Sequence, residues 1–112
     1  MDMVIVKRFD VCLIDLDPTV GSEIKKTRPA VIISPDSMNL SRLKTIIIAP
    51  MTSTLRDSFP TRINTVFQNK EGQIALDQLR SIDRIRIVKK LGHLDVETEN
   101  KILLILSIMF QK

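Results

Sequence analysis

Ser22, Glu23, Lys25, Lys26 and Arg28 crowd one polar stretch of the segment DVCLIDLDPTVGSEIKKTRPAVIIS, which runs from Asp10 to Ser34. A hydroxyl and a carboxylate offer oxygens there, and three cations offer charge, a set suited to an anionic ligand. The planar fork of an arginine matches the oxygens of a phosphate and keeps its charge. Held in place, it stabilises the negative charge that grows during phosphoryl transfer. Thr52, in IIIAPMTS, adds a hydroxyl that can hydrogen-bond the same phosphate. If the substrate is RNA, its own 2′-OH is the attacking group and no protein nucleophile is needed. Taken singly, an Arg28 or a Thr52 is more often a salt-bridge or turn residue than a catalytic one.

Other chemistries find less support. His93 is the only histidine, which excludes an acid–base pair built from two histidines of one chain, and its place beside Gly92 reads as structural. There is no Cys or His cluster, and Asp15 and Asp17 share a strand face without forming a ligand set, so no metal or other cofactor is expected. No phosphate-cradling glycine loop is present. Cys12 sits in an apolar run, which makes it a buried small hydrophobe rather than a nucleophile, and points to a reducing, cytoplasmic setting.

These groups need elements to position them. Val4–Val6 and Val11–Leu16 read as the first β region, and Ala30–Ile33 as the second strand. A hairpin turns in about two to five residues, yet roughly a dozen separate these two runs, a length that marks a functional loop. Pro29 pushes Arg28 toward extended geometry. Met38–Leu43 reads as a short helical turn. Thr45–Ala49 is a β-branched strand stopped by Pro50, followed by the polar loop Met51–Pro60. Thr61–Phe67 and Gln73–Leu79 are further strands around the turn Asn69–Gly72, with Asp77 and Gln78 at the polar end of the second. Ser81–Arg84 reads as a turn and Arg86–Lys90 as a basic edge. Asp95 caps a final helix whose Ile102, Leu103, Leu106, Met109 and Phe110 share a face, widened by Leu104, Ile105 and Ile108. So broad an apolar surface predicts a subunit interface as well as core packing.

The 112 residues fit one domain, with no repeat or linker, and the longest apolar run is too short to cross a membrane. MDMVIVKRFD shows no signal-peptide pattern. A net charge of +4 suits nucleic acid or an acidic protein, and equally suits an ordinary small basic protein. Several short sequential strands with one helix predict a mainly β (α+β) fold built on a small barrel; periodicity alone does not separate an SH3-like barrel from an OB-fold.

The segments VCLIDLDPTVGSEIKKTRPAVIIS, IIIAPMTS and ALDQLRSID, in this order and spacing, resemble the MazF/PemK (Kid) family of toxin endoribonucleases over nearly the whole chain. The resemblance implies an SH3-like barrel of the MazF/PemK/CcdB type with a C-terminal helix, acting as a homodimer. It implies metal-independent, sequence-specific cleavage of single-stranded RNA, mainly mRNA, to 2′,3′-cyclic phosphate and 5′-OH ends. It also implies a cognate antitoxin as partner. The family's catalytic arginine and threonine fall on Arg28 and Thr52, and Glu23 falls on a position important in some members. Asp77 matches an aspartate proposed as general base in the Kid branch, but the arginine two residues before it there is Ala75 here. Either Glu23 or Asp77 could take the 2′-OH proton, or Glu23 could simply hold its loop.

Base recognition is expected from Thr19, Gly21, Ser22 and Lys26 on the first loop and from Ser53, Arg56 and Phe59 on the second. Asp77, Gln78 and Arg80 complete the expected RNA-binding set. With no Trp or Tyr in the chain, stacking falls to Phe59 or an arginine, and core packing is an equal reading for Phe59. Two other functions remain: a gyrase-directed toxin like CcdB, disfavoured by a tail, MFQK, that lacks Trp, and a non-catalytic nucleic-acid-binding barrel.

Overall fold

Alternation of buried and exposed positions breaks down along the first three strands, because their sheet is covered on both faces. The structure, a computed structural model, describes residues 4–112, so the first three residues of MDMVIVKRFD lie outside it. Among the described residues, β1 (Asp10–Asp15), β2 (Thr27–Ile32), β3 (Thr45–Thr52), β4 (Arg62–Phe67), β5 (Lys70–Ala75), β6 (Arg80–Asp83) and β7 (Ile87–His93) form the sheet. The helices are α1 (Asp36–Asn39) and α2 (Val96–Met109). The strand order is β4-β5-β3-β2-β1-β7, with β6 also on β3 and every pair antiparallel. The sheet curls into a half-barrel.

Its two faces carry two cores. Cys12, Ile14, Leu16, Ala30, Ile32, Ile46 and Ile48 belong to one. Val11, Val31, Ala49, Ile74 and Leu76 belong to the other, under Ile102, Ile105, Leu106 and Met109 of α2. Burial pushes the Cys12 thiol up to about 11, and nearby Asp10 adds to this, so it stays a neutral core side chain. The rest of the apolar stripe of α2 is uncovered: Leu103, Leu104, Ile108 and Phe110 are exposed. Asp95 is its N-cap as expected, accepting from the Thr98 N–H and hydroxyl.

Several expected boundaries move. Val4–Val6 is not a strand, although Val6 is fully buried in the first core. Pro50 does not stop β3, which runs on to Thr52. On one edge β3 pairs with β6 as far as Ile48 and with β5 from Met51, so the missing proline N–H falls between the two ladders. The expected strand Gln73–Leu79 ends at Ala75 and gives way to a 3-10 turn, Leu76–Gln78. Between the β5 and β6 ladders the register on β3 advances by three residues, the length of that turn. The turn is therefore a bulge in one long strand, and it throws Asp77 and Gln78 out of the ladder. Ser81–Arg84 is mostly β6 rather than a turn, followed by a 3-10 turn at Arg84–Arg86 that delays β7 to Ile87. The β4–β5 turn is Gln68–Asn69, both at positive φ as a two-residue hairpin of type I′ requires. Lys70–Gly72, read as part of the turn, lies in β5.

His93 ends β7 and is structural. Its Nδ1 lies 2.8 Å from Asp10 and its Nε2 3.1 Å from Glu99 of α2. Lys90 and the Lys7 N–H also reach the buried Asp10 carboxylate. Burial opposes charge on Asp10, but hydrogen bonds from His93, Lys7 and Lys90 outweigh it and hold its pKa below 3.8. The hydrogen bond to Asp10 raises the His93 pKa above 6.5, against some burial, and Glu99 adds to the rise. A raised histidine contributes stability that is complete below its unfolded value and is lost as pH rises through the folded one. The wild-type Tm should therefore fall between about pH 6 and pH 8, and His93→Gln should flatten that slope; an unchanged slope would mean that another group titrates there.

Candidate active site

Arg28 stands in β2 directly across from Ile14 of β1. Its Nε donates to the Lys25 carbonyl at 2.7 Å, which fixes the plane of the guanidinium. Among the described residues it makes no ion pair with a carboxylate. Its terminal nitrogens are thus available to an outside anion. Ala30 pairs with Pro50, so one step of two residues along each strand brings Arg28 and Thr52 to the same face of the sheet. Thr52 is mostly buried, and its hydroxyl accepts from the Thr54 N–H at 3.1 Å. Opposite this segment of β3, Gly72 lets the backbones close up: a Cβ there would lie 2.9 Å from the Thr52 carbonyl oxygen.

The loop between β1 and β2 is a braced rim. At its base the Leu16 N–H donates to the Lys26 carbonyl and the Lys26 N–H to the Asp17 carboxylate, with Lys26 at a φ of 74°. Arg80 donates to the Leu16 carbonyl at 3.0 Å, and Arg86 donates to the carbonyls of Asp15 and Asp17. At its tip the Glu23 carboxylate accepts from the Val20 N–H while the Glu23 N–H returns to the Val20 carbonyl, with Gly21 at a φ of 56° in that turn. Glu23 is therefore built into the turn, which favours the loop-holding reading over the proton-accepting one. The Gln78 amide spans the same loop, accepting from the Ile24 N–H at 2.6 Å and donating to the Ser22 carbonyl at 3.3 Å.

The second rim, between β3 and β4, is braced from the opposite side. Gln73 is buried, yet its amide both accepts from the Arg56 N–H at 3.0 Å and donates to the Arg56 carbonyl at 3.3 Å. Asn64 holds that amide in turn, at 2.8 Å. Beyond the loop, Asp77 takes two hydrogen bonds from Arg62, at 2.7 and 3.0 Å, and one from the Thr61 hydroxyl. Arg62 lowers the Asp77 pKa, outweighing its partial burial, and Thr61 adds to the effect. A carboxylate kept anionic in a two-point ion pair is a poor proton acceptor, so Asp77 acts as an anchor. Phe59 is half-exposed, with the Arg62 guanidinium 5.4 Å from its ring centroid.

Residues 7–110 match the family described as PemK-like, MazF-like toxin of type II toxin-antitoxin system. The chain belongs to that toxin family. Endoribonuclease EndoA of Bacillus subtilis (strain 168) is 34% identical over 102 residues, 88% of each chain. The fold is that of MazF from Deinococcus radiodurans, with a TM-score of 0.81 at 20% identity over 95% of this toxin and 96% of that chain. A mycobacterial endoribonuclease solved in complex with its cognate antitoxin gives a TM-score of 0.76 at 20% identity, covering 96% and 98%.

The toxin thus gathers its expected site residues into one region with three networks. Thr19, Gly21, Ser22, Glu23 and Lys26 share the first rim; Ser53, Arg56 and Phe59 are exposed on the second; Asp77 and Gln78 leave the bulge in opposite directions. Arg80 and Gln78 are not free recognition groups, since both bond to the first loop or its base. Sequence reading missed Arg62, Gln73, Asn64 and Arg86. The only available signal for Arg62 was its place in β4 across from Ala75, a register that sequence does not give. No group of three metal-ligating side chains occurs among the described residues, and no helix is long and apolar enough to cross a membrane.

Proposed function

We propose that residues 1–112 form one toxin domain that cuts single-stranded RNA, chiefly mRNA, at a short sequence without a metal ion, acting in the cytoplasm. The observation that carries this reading is a guanidinium fixed through Nε and, among the described residues, without a carboxylate partner, on the sheet face that it shares with Thr52 where the two braced loops meet their strands. Arg28 grips the scissile phosphate and stabilises the pentacoordinate state, and Thr52 hydrogen-bonds the same oxygens. The substrate's 2′-OH attacks, giving up its proton to solvent as the O2′–P bond forms; the P–O5′ bond breaks and the leaving oxygen takes a proton from solvent, so the ends are a 2′,3′-cyclic phosphate and a 5′-OH. Lys26, Ser53, Arg56 and Phe59 lie where they can meet phosphates and bases along the strand, and Phe59 offers the stacking face.

The exposed aliphatic side of α2, with Leu103, Leu104 and Ile108, supports a homodimer. An antitoxin partner is supported by the family and by the mycobacterial relative solved with its own antitoxin. Incubating the protein with long single-stranded RNAs in EDTA should give discrete cuts with cyclic phosphate ends. No cutting of several RNAs, together with inhibition of gyrase, would replace this reading with a CcdB-like one.

A further inference from the structure

We infer that Gln78 and Gln73 are positioning residues, each locking one rim loop through a side-chain amide and together setting the gap through which bases are read. The inference rests on the nuclease reading and names what regulates its selectivity. A primary amide carries a donor and an acceptor side by side, as a peptide group does. Gln78 uses both on one loop, at Ile24 N–H and the Ser22 carbonyl. Gln73 does the same on the other loop, at the N–H and the carbonyl of Arg56. Among the described residues neither loop is paired to a strand along these stretches, so each glutamine replaces a missing ladder partner.

The two clamps share one mechanical base. Gln78 sits in the bulge between β5 and β6, and its neighbour Asp77 is bound to Thr61 and Arg62, where the second loop ends. Gln73 pairs with Thr52 in the β3–β5 ladder. A shift of either loop is thereby transmitted to the bulge or to Thr52 rather than absorbed at the surface. Displacements of about 1 Å at a reacting centre can cost a hundredfold in rate, so fixing the loops fixes which strand conformations reach Arg28.

The test is made on the whole protein with Gln78→Ala, Gln78→Glu and Gln73→Leu, the last keeping the buried volume. Two quantities are read: amide hydrogen exchange at Ile24 and Arg56, and kcat/KM on RNAs carrying the best and the second-best cut sequences. Gln78→Ala should speed exchange at Ile24 and leave Arg56 protected, and Gln73→Leu should do the reverse. Each should narrow the preference between the two RNAs by about tenfold, with kcat falling more than KM rises. Gln78→Glu keeps the acceptor for Ile24 N–H and should retain more protection there than the alanine variant.

Lost preference without faster exchange at Ile24 would overturn the clamp and make Gln78 a direct base contact. Faster exchange with unchanged preference would overturn the link to selectivity. A wild type that cuts no RNA would sink the nuclease reading and with it the selectivity role, while exchange at Ile24 and Arg56 would still decide whether the amides lock the loops.

Discussion

Replacing Arg28 with alanine should lower kcat/KM on a cleavable RNA by about a hundredfold to a thousandfold, the usual range for losing one charge-stabilising donor. The fold should hardly notice. Among the described residues, the only hydrogen bond from the Arg28 side chain goes to the Lys25 carbonyl, and one such bond contributes about 1 kcal/mol. The loss should appear mainly in kcat, because the growing charge of the transition state exceeds that of the bound phosphodiester. Arg28→Lys separates charge from geometry: an ammonium keeps the positive charge but not the planar fork. Near-complete activity of that variant would show that charge alone suffices. A thermal melt beside each assay distinguishes lost chemistry from lost structure.

The second large effect is on stability. Ile14 is fully buried in the core formed by Cys12, Leu16, Ala30, Ile32 and Ile48, and it faces Arg28 on one side and Ile87 on the other. Ile14→Ala should cost about 2–5 kcal/mol, the range for deleting a buried aliphatic group and leaving a cavity. Domains of this kind unfold with about 5–15 kcal/mol, so the variant should melt far below the parent in urea. Because its neighbours span β1, β2 and β7, little collapse into the gap is available. A cost under about 1 kcal/mol would show that these strands close around the cavity after all.

Much of the site was legible because its groups are close in sequence. Ser22, Glu23, Lys26 and Arg28 occupy one loop and the strand that follows, and the long polar gap between two apolar runs exposed that loop. The N-cap at Asp95 was legible for the same reason: the residues that it bonds lie within the next turn. That Arg28 has no carboxylate partner among the described residues was not legible. An arginine with several acidic residues nearby in sequence can pair with any of them, and only the fold sends Glu23 to the Val20 N–H and Asp77 to Arg62.

By itself the sequence determined the local matters: apolar runs that had to become strands, a loop rich in cations, a helix with more apolar surface than its own core uses, and motifs that resemble one toxin family. The tertiary structure alone decided which distant residues meet. The bulge at Leu76–Gln78 appears only as a mismatch between two ladders on β3, and it alone turns Gln78 toward Ile24, 54 positions away, and Asp77 toward Arg62. Periodicity fixes which face a side chain takes, but register is a property of two strands together, and a pairing between strands leaves no mark on either one read singly.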